Sequence, residues 1–146
     1  MNHVNLIQNN VDLAEAFEIR RIVFVLEQQC DPAEEYDEHE PICKHFLCKH
    51  NGVNAGTCRY RKTDFGYKLE RYAVLMPYRG KGVGAALLLN AIEAVKMEDS
   101  GAGSAVPIYL HAQEYAIPFY EKYGFVKQGD RFYEANIPHF KMVLSH

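Results

Sequence analysis

The sequence has no excess of basic residues, no long apolar run, no paired cysteines at metal-ligand spacing and no low-complexity stretch. Sixteen Lys and Arg stand against nineteen Asp and Glu, a formal net charge of −3. That balance argues against nucleic-acid binding, which calls for Lys and Arg in excess on one face. No apolar stretch approaches the roughly 20 residues that cross a bilayer. The start, Met1-Asn2-His3-Val4-Asn5, lacks a charged segment followed by an apolar one, so no signal peptide is read and a soluble, cytoplasmic protein is expected. There is no internal repeat and no linker. The four cysteines, Cys30, Cys43, Cys48 and Cys58, include no CxxC pair. His39, His45 and His50 lie nearby, but alternation along a strand would send Cys43 and His45 to one face and Cys48 and His50 to the other. Buried, reduced thiols and no metal are therefore expected.

What is present is the composition of one globular domain. The chain has 146 residues, 48% hydrophobic and 24% charged, enough to bury a core as a single domain over 1–146. A short strand over His3–Ile7 precedes a helix from Val11 to about Gln29, whose apolar positions recur at helical spacing, with Asn10 or Asp12 as its cap. The acidic stretch 31–41, bounded by prolines, reads as an irregular solvated loop. Cys43–His50 and Val53–Arg61 read as strands joined by Asn51-Gly52, a hairpin signal. A strand over Tyr67–Leu75 follows, then a helix to about Glu98, closed by Asp99-Ser100-Gly101-Ala102-Gly103. After these come a strand over Val106–His111 and a helix over Gln113–Tyr123 ended by Gly124. Phe125-Val126 opens a strand, Gly129-Asp130 turns it, and Phe140–Leu144 closes the chain. The fold class is α/β (α+β): a mixed, mostly antiparallel sheet of six to seven strands with about four helices. The apolar end Phe140-Lys141-Met142-Val143-Leu144 suits a core strand or a homodimer interface equally.

The feature with most chemical content is Arg79-Gly80-Lys81-Gly82-Val83-Gly84, between a strand and a helix. A glycine turn opening a helix exposes unpaired N–H groups at the positive end of the helix dipole, a setting for phosphate. It is not a P-loop, because Ala85-Ala86-Leu87 stands where Lys-Ser/Thr would be needed. It is not a dinucleotide fingerprint, because Ala85 replaces the third glycine. Spacing alone leaves a phosphate site and a ligand-free tight turn both open.

Arg79-x-x-Gly82-x-Gly84, with Ala73-Val74-x-x-x-Tyr78-Arg79 before it and Ala116-x-x-Phe119-Tyr120-x-Lys122-x-Gly124-Phe125 after it, resembles the GNAT superfamily of N-acetyltransferases. The likeness spans the chain and is strongest from Leu69 to Phe125. The ending Glu134-Ala135-Asn136-Ile137-Pro138-His139-Phe140-x-Met142 and the early Val23-Phe24-Val25-x-Glu27-Gln28 are similar to a small bacterial subgroup labelled glucosamine-phosphate acetyltransferase-like. The resemblance implies acetyl-CoA as co-substrate and a single-domain GNAT fold. It implies pyrophosphate held by the N–H groups of Gly80, Lys81, Gly82, Val83, Gly84 and Ala85 with Arg79 nearby. The pantetheine arm would lie along the backbone of Tyr72, Ala73 and Val74, with Gln113, Ala116, Phe119 and Tyr120 on its other side.

Acetyl transfer to an amine needs a neutral amine, a polarised thioester carbonyl and a proton for the departing thiolate. Tyr120 is the expected acid and the Val74 N–H the expected carbonyl donor. Period two places Lys68, Glu70, Tyr72 and Val74 on one face, which makes Glu70 the candidate base, with water, His111 or His139 as alternatives. A salt bridge from Glu70 to Arg59, Arg61 or Arg71 competes with that role. Glu27, Glu35, Asp37 and Glu38 could attract a cationic amine, whereas Arg59 and Arg61 could hold an acceptor's phosphate or carboxylate. The expected activity is acetyl transfer to a primary amine of a small molecule. A peptide or protein amine as acceptor and a non-catalytic acyl-CoA sensor are the rivals.

Overall fold

Seven strands form one sheet in the computed structural model, which describes residues 1–99 and 106–145. In chain order the elements are β1 Asn2–Leu6, α1 Asn10–Arg20, α2 Pro32–Glu35, β2 Lys44–His50, β3 Val53–Lys62, β4 Tyr67–Val74 and α3 Val83–Asp99. They continue with β5 Ile108–Gln113, α4 Ile117–Lys122, β6 Phe125–Glu134 and β7 Ile137–Leu144. The spatial order is β1-β2-β3-β4-β5-β7-β6. Every neighbouring pair is antiparallel except β4–β5. The mixed α+β class agrees with the sequence; of the four α-helices among the described residues, α2 is a single turn.

Side-chain alternation divides the sheet's faces. One face packs on α3 and α4 through a large core that includes Phe46, Cys48, Leu69, Leu87, Leu88, Leu110, Phe125 and Met142. The opposite face meets α1 and the π-helical turns Arg21–Glu27 that continue it, through Ile19, Val23, Phe24, Leu47 and Ala73. Asn51 and Gly52 take positive φ, as a two-residue hairpin between twisted strands requires. Gly124, at φ 94°, ends the α4 segment as expected. Among the described residues no helix is long and apolar enough to cross a membrane.

Several local expectations need correction. The cap of α1 is Asn9, whose side chain accepts from the Asp12 N–H, so neither Asn10 nor Asp12 serves. Gly129 does not turn the chain back: at φ 84° it sits in a bulge within a continuous β6, and the turn falls at Ala135-Asn136. A glycine bulge in an edge strand does the same local work as a turn residue while blunting the edge. The apolar chain end is β7, an inner strand that buries Met142 and Leu144 in the core. Cys48 and Cys58 are buried free thiols, whereas Cys30 and Cys43 are half-buried. The expected helix closure at Ser100-Gly101-Ala102-Gly103 lies outside the described residues.

The acidic stretch is not a solvated loop. Asp31 caps α2, and Glu35 and Glu40 reach under the sheet to the fully buried Arg20, at 2.7 Å each. Charge along a sequence says nothing about which cations the fold will bring to it.

Candidate active site

Two strands that begin as neighbours part company at the centre of the molecule. β4 and β5 pair only at Tyr67–Leu69 with Ile108–Leu110. Beyond Leu69 the register on the other side shifts: Thr57 faces Ala73 and Arg59 faces Glu70, so Arg71 and Tyr72 together oppose Cys58. Arg71 takes φ 56°, the mark of a bulge. The extra residue reverses the alternation. Lys68 and Glu70 face the α1 side, while Tyr72 and Val74 pack against the α3–α4 core. The expectation that these four share a face is therefore overturned.

A cavity of about 530 Å³ occupies the divergence. Of the residues expected at the site, Glu70, Tyr72, Gln113, Ala116, Tyr120, Glu35, Asp37, His111 and His139 line it. Glu27, Arg59 and Phe119 lie outside. Gln113 bridges the opening: its Nε2 donates to Gln28 Oε1 at 2.9 Å, linking β5 to the end of the first helix.

The glycine turn adjoins the end of β4. Gly80 and Gly82 sit at φ 76° and 82°, a left-handed backbone that side chains disfavour. They lead directly into α3, which is 17 residues long. Val83 has its side chain in the core, leaving only its backbone for a ligand. Gly84 lies against Phe119, whose Cζ is 3.5 Å from where a Cβ would stand, so α4 packs over the start of α3. Arg79 donates from Nε to the Val74 carbonyl at 3.0 Å and pairs with Glu27 at 2.7 Å. Glu27 thus stands beside the glycine turn and away from the cavity wall. Lys81 is exposed, and its carbonyl accepts from Asn2 Nδ2.

Tyr120 is buried, with its ring edge-on to Tyr72, Phe119 and Phe125 at 6.3, 5.1 and 5.9 Å. Burial raises its pKa well above that of an ordinary phenol, so the proton stays in place at neutral pH. Burial does the same to Tyr72 and pushes the adjacent Cys58 thiol up to about 12.

Glu70 is placed differently from its expected role. Its carboxylate takes Arg59 at 3.0 Å, Arg61 at 2.8 Å and Lys68 at 3.1 Å. Burial alone would raise its pKa, but Arg59, Lys68 and Arg61 outweigh that and hold it at about 2. A carboxylate so stabilised as an anion is a weak proton acceptor. Arg59, considered for acceptor binding, is fully buried and paired with Asp37 and Glu40 at 2.7 Å each. Asp37 is correspondingly depressed below the ordinary carboxylate range, Arg59 and Arg71 outweighing burial. Glu35 is buried on Arg20, and burial raises its pKa. Glu35 and Asp37 are therefore engaged within the protein.

On the cavity's other wall His111 Nδ1 lies 2.7 Å from Glu134 Oε1, and His139 Nδ1 lies 2.7 Å from the Ile137 carbonyl. A carboxylate on one ring nitrogen leaves the other as the base. Burial would raise the Glu134 pKa, but His111 lowers it on balance. Glu134 was not singled out in the sequence. The tight turn at Ala135-Asn136 was the available signal, since it returns β7 beside β6 and sets His139 opposite Phe132, two residues from Glu134. Among the described residues no group of His, Cys, Asp or Glu is arranged to hold a metal ion.

Residues 16–146 match the family model described as Acetyltransferase (GNAT) domain. The uncharacterized N-acetyltransferase YjcF of Bacillus subtilis (strain 168) is 36% identical over 137 residues, 93% of this chain and 94% of that protein. Among solved structures, Escherichia coli ElaA superposes with a TM-score of 0.85 at 25% identity, covering 99% of this chain and 100% of that one. A Bacillus subtilis acetyltransferase in complex with CoA shares the fold, with a TM-score of 0.74 at 19% identity over 100% of this chain and 99% of that one. A sheet opened by a bulge in β4, a glycine turn at the start of α3 and a family match over most of the sequence lead to one conclusion: the chain belongs to the GNAT family of N-acetyltransferases.

Proposed function

We propose that the protein uses acetyl-CoA to acetylate a primary amine of a small molecule by direct transfer. The observation that carries the reading is the divergence of β4 from β5 beyond Leu69, with Tyr120 on the cavity wall and the glycine turn beside the end of β4. The unpaired edge of β4 offers the pantetheine amides a strand to pair with. The turn and the first N–H groups of α3 suit a pyrophosphate, which competes with Glu27 for Arg79. Bound acetyl-CoA supplies the thioester.

The residues then divide the work. The Val74 N–H polarises the carbonyl as the amine's C–N bond forms and the C–S bond breaks. His111, oriented by Glu134, takes the amine's proton at Nε2, a better acceptor than the triply paired Glu70. Tyr120 donates to the sulfur as it becomes thiolate. With a raised pKa it stabilises that sulfur chiefly as a hydrogen-bond donor.

Calorimetry with acetyl-CoA, followed by a thiol-release assay across amines, tests the reading. Binding with release is expected. No binding at millimolar ligand sinks it, and binding without release from any amine turns the protein into a sensor.

A further inference from the structure

The cavity wall formed by β3 and β4 carries more cations than its carboxylate can neutralise. Arg61 and Lys68 are register partners across β3–β4, and both reach to Glu70. Arg59 uses the same carboxylate, although Asp37 and Glu40 already balance it. Among the described residues Glu70 is the only carboxylate paired with Arg61 or Lys68. Both side chains are largely withdrawn from water, 17% and 15% exposed, and both line the cavity. A cation held in such a place without full compensation costs free energy that an incoming anion recovers.

The position of this pair relative to the base gives it meaning. Lys68 stands opposite Tyr109 in β5, two residues before His111. It is also among the cations that act on Glu134, the carboxylate holding His111. Cation pair and base therefore share one end of one cavity.

We infer that the acceptor carries its own oxyanion, a carboxylate or phosphate bound by Arg61 and Lys68, close to the amine that His111 deprotonates. This rests on the acetyl-transfer reading and selects amino acids or amino-phosphates over polyamines. The amine nitrogen attacks the thioester carbon, its proton passes to His111, and the C–S bond breaks with its electron pair left on the sulfur, where Tyr120 donates a hydrogen bond. Arg61 and Lys68 stay charged throughout and fix the direction of approach.

The test compares matched amines by acetyl-CoA thiol release: alanine with alaninamide, O-phosphoethanolamine with ethanolamine, and 1,3-diaminopropane. Alaninamide has the more readily deprotonated amine, so a preference for alanine is not an effect of basicity. An anionic member is expected to exceed its neutral partner in kcat/KM by about tenfold or more, the span of a charge-assisted hydrogen bond. Which pair shows the ratio tells carboxylate from phosphate. Arg61→Gln and Lys68→Met should bring the ratio toward one, and Lys68→Arg should keep it. Faster release from diaminopropane or the neutral amines by the unaltered protein overturns the inference and leaves acetyl transfer standing. So does a ratio that survives both variants. Absence of acetyl-CoA binding, or of release from every amine, removes the acetyl-transfer reading itself and this inference with it.

Discussion

Tyr120, His111 and Glu70 are three titratable groups around one cavity, and their surroundings assign them different roles. Tyr120 keeps its proton because it is buried among aromatic rings. Tyr120→Phe should lower kcat by about 10²-fold while acetyl-CoA affinity is kept, in the usual range for proton donation; an unchanged kcat removes the phenol from the reaction. His111→Gln should lower kcat/KM by about 10²-fold, in the usual range for general-base catalysis. Glu134→Gln should lower it by less, because it removes only the carboxylate that orients the ring at Nδ1. If both variants keep the wild-type kcat/KM, the base lies elsewhere. Glu70 acts on stability instead. Its folded pKa of about 2 lies below the ordinary 4.5, so the anion is the stabilised form. Its contribution, about 3 kcal/mol, is complete above pH 4.5 and is lost as pH falls toward 2. Denaturant midpoints followed by circular dichroism from pH 6 to 3 should fall steeply, and less steeply in Glu70→Gln. Glu35, with its raised pKa, works in the opposite sense and softens the slope. A midpoint indifferent to Glu70 would show the pairs to be worth little.

At the scale of elements, the bulge in β4 and the seating of α3 on β3 build the site together. Gly56 lies beneath the start of α3: a Cβ there would stand 2.7 Å from Val83 Cγ1 and 3.0 Å from the Ala73 carbonyl oxygen. Gly56→Ala should push the helix start off the sheet, costing about 1–3 kcal/mol as overpacking does. It should also weaken acetyl-CoA binding, because the N–H groups proposed to hold the pyrophosphate move with Val83 and Gly84. Thermal unfolding and calorimetry check both, and unchanged values would show that α3 absorbs the methyl group. Element types were largely legible in the sequence because period two and period 3.6 are local properties. The hairpin at Asn51-Gly52 and the cap at Gly124 were legible for the same reason. The place of the bulge was not: an unremarkable Glu70-Arg71-Tyr72 gives no sign that Arg71 takes a left-handed backbone. Every face assignment beyond it was reversed in consequence.

At the scale of the molecule, β1–β4 and β5–β7 are joined within the sheet by the short β4–β5 ladder of three residue pairs. A ligand laid along the open edge of β4 and contacting α4 would tie the two halves. At 100 times its dissociation constant CoA should raise stability by about 2.7 kcal/mol. For a chain of this size that is a melting shift of roughly 5–11 °C. A scan showing no shift at millimolar CoA would mean that the folded protein does not bind it.

The sequence by itself determined the strand and helix order and the glycine turn that opens α3, because each is written in adjacent residues whose backbone needs are local. Only the tertiary structure decided what the charged residues do. Arg20, Arg59, Glu35 and Glu70 are solvated or buried, paired or reactive, according to partners 9 to 22 residues away that only the folded sheet brings to 3 Å or less. The imidazole–carboxylate pair of His111 and Glu134 depends on the same long-range approach, and with it the proposed route of the amine's proton.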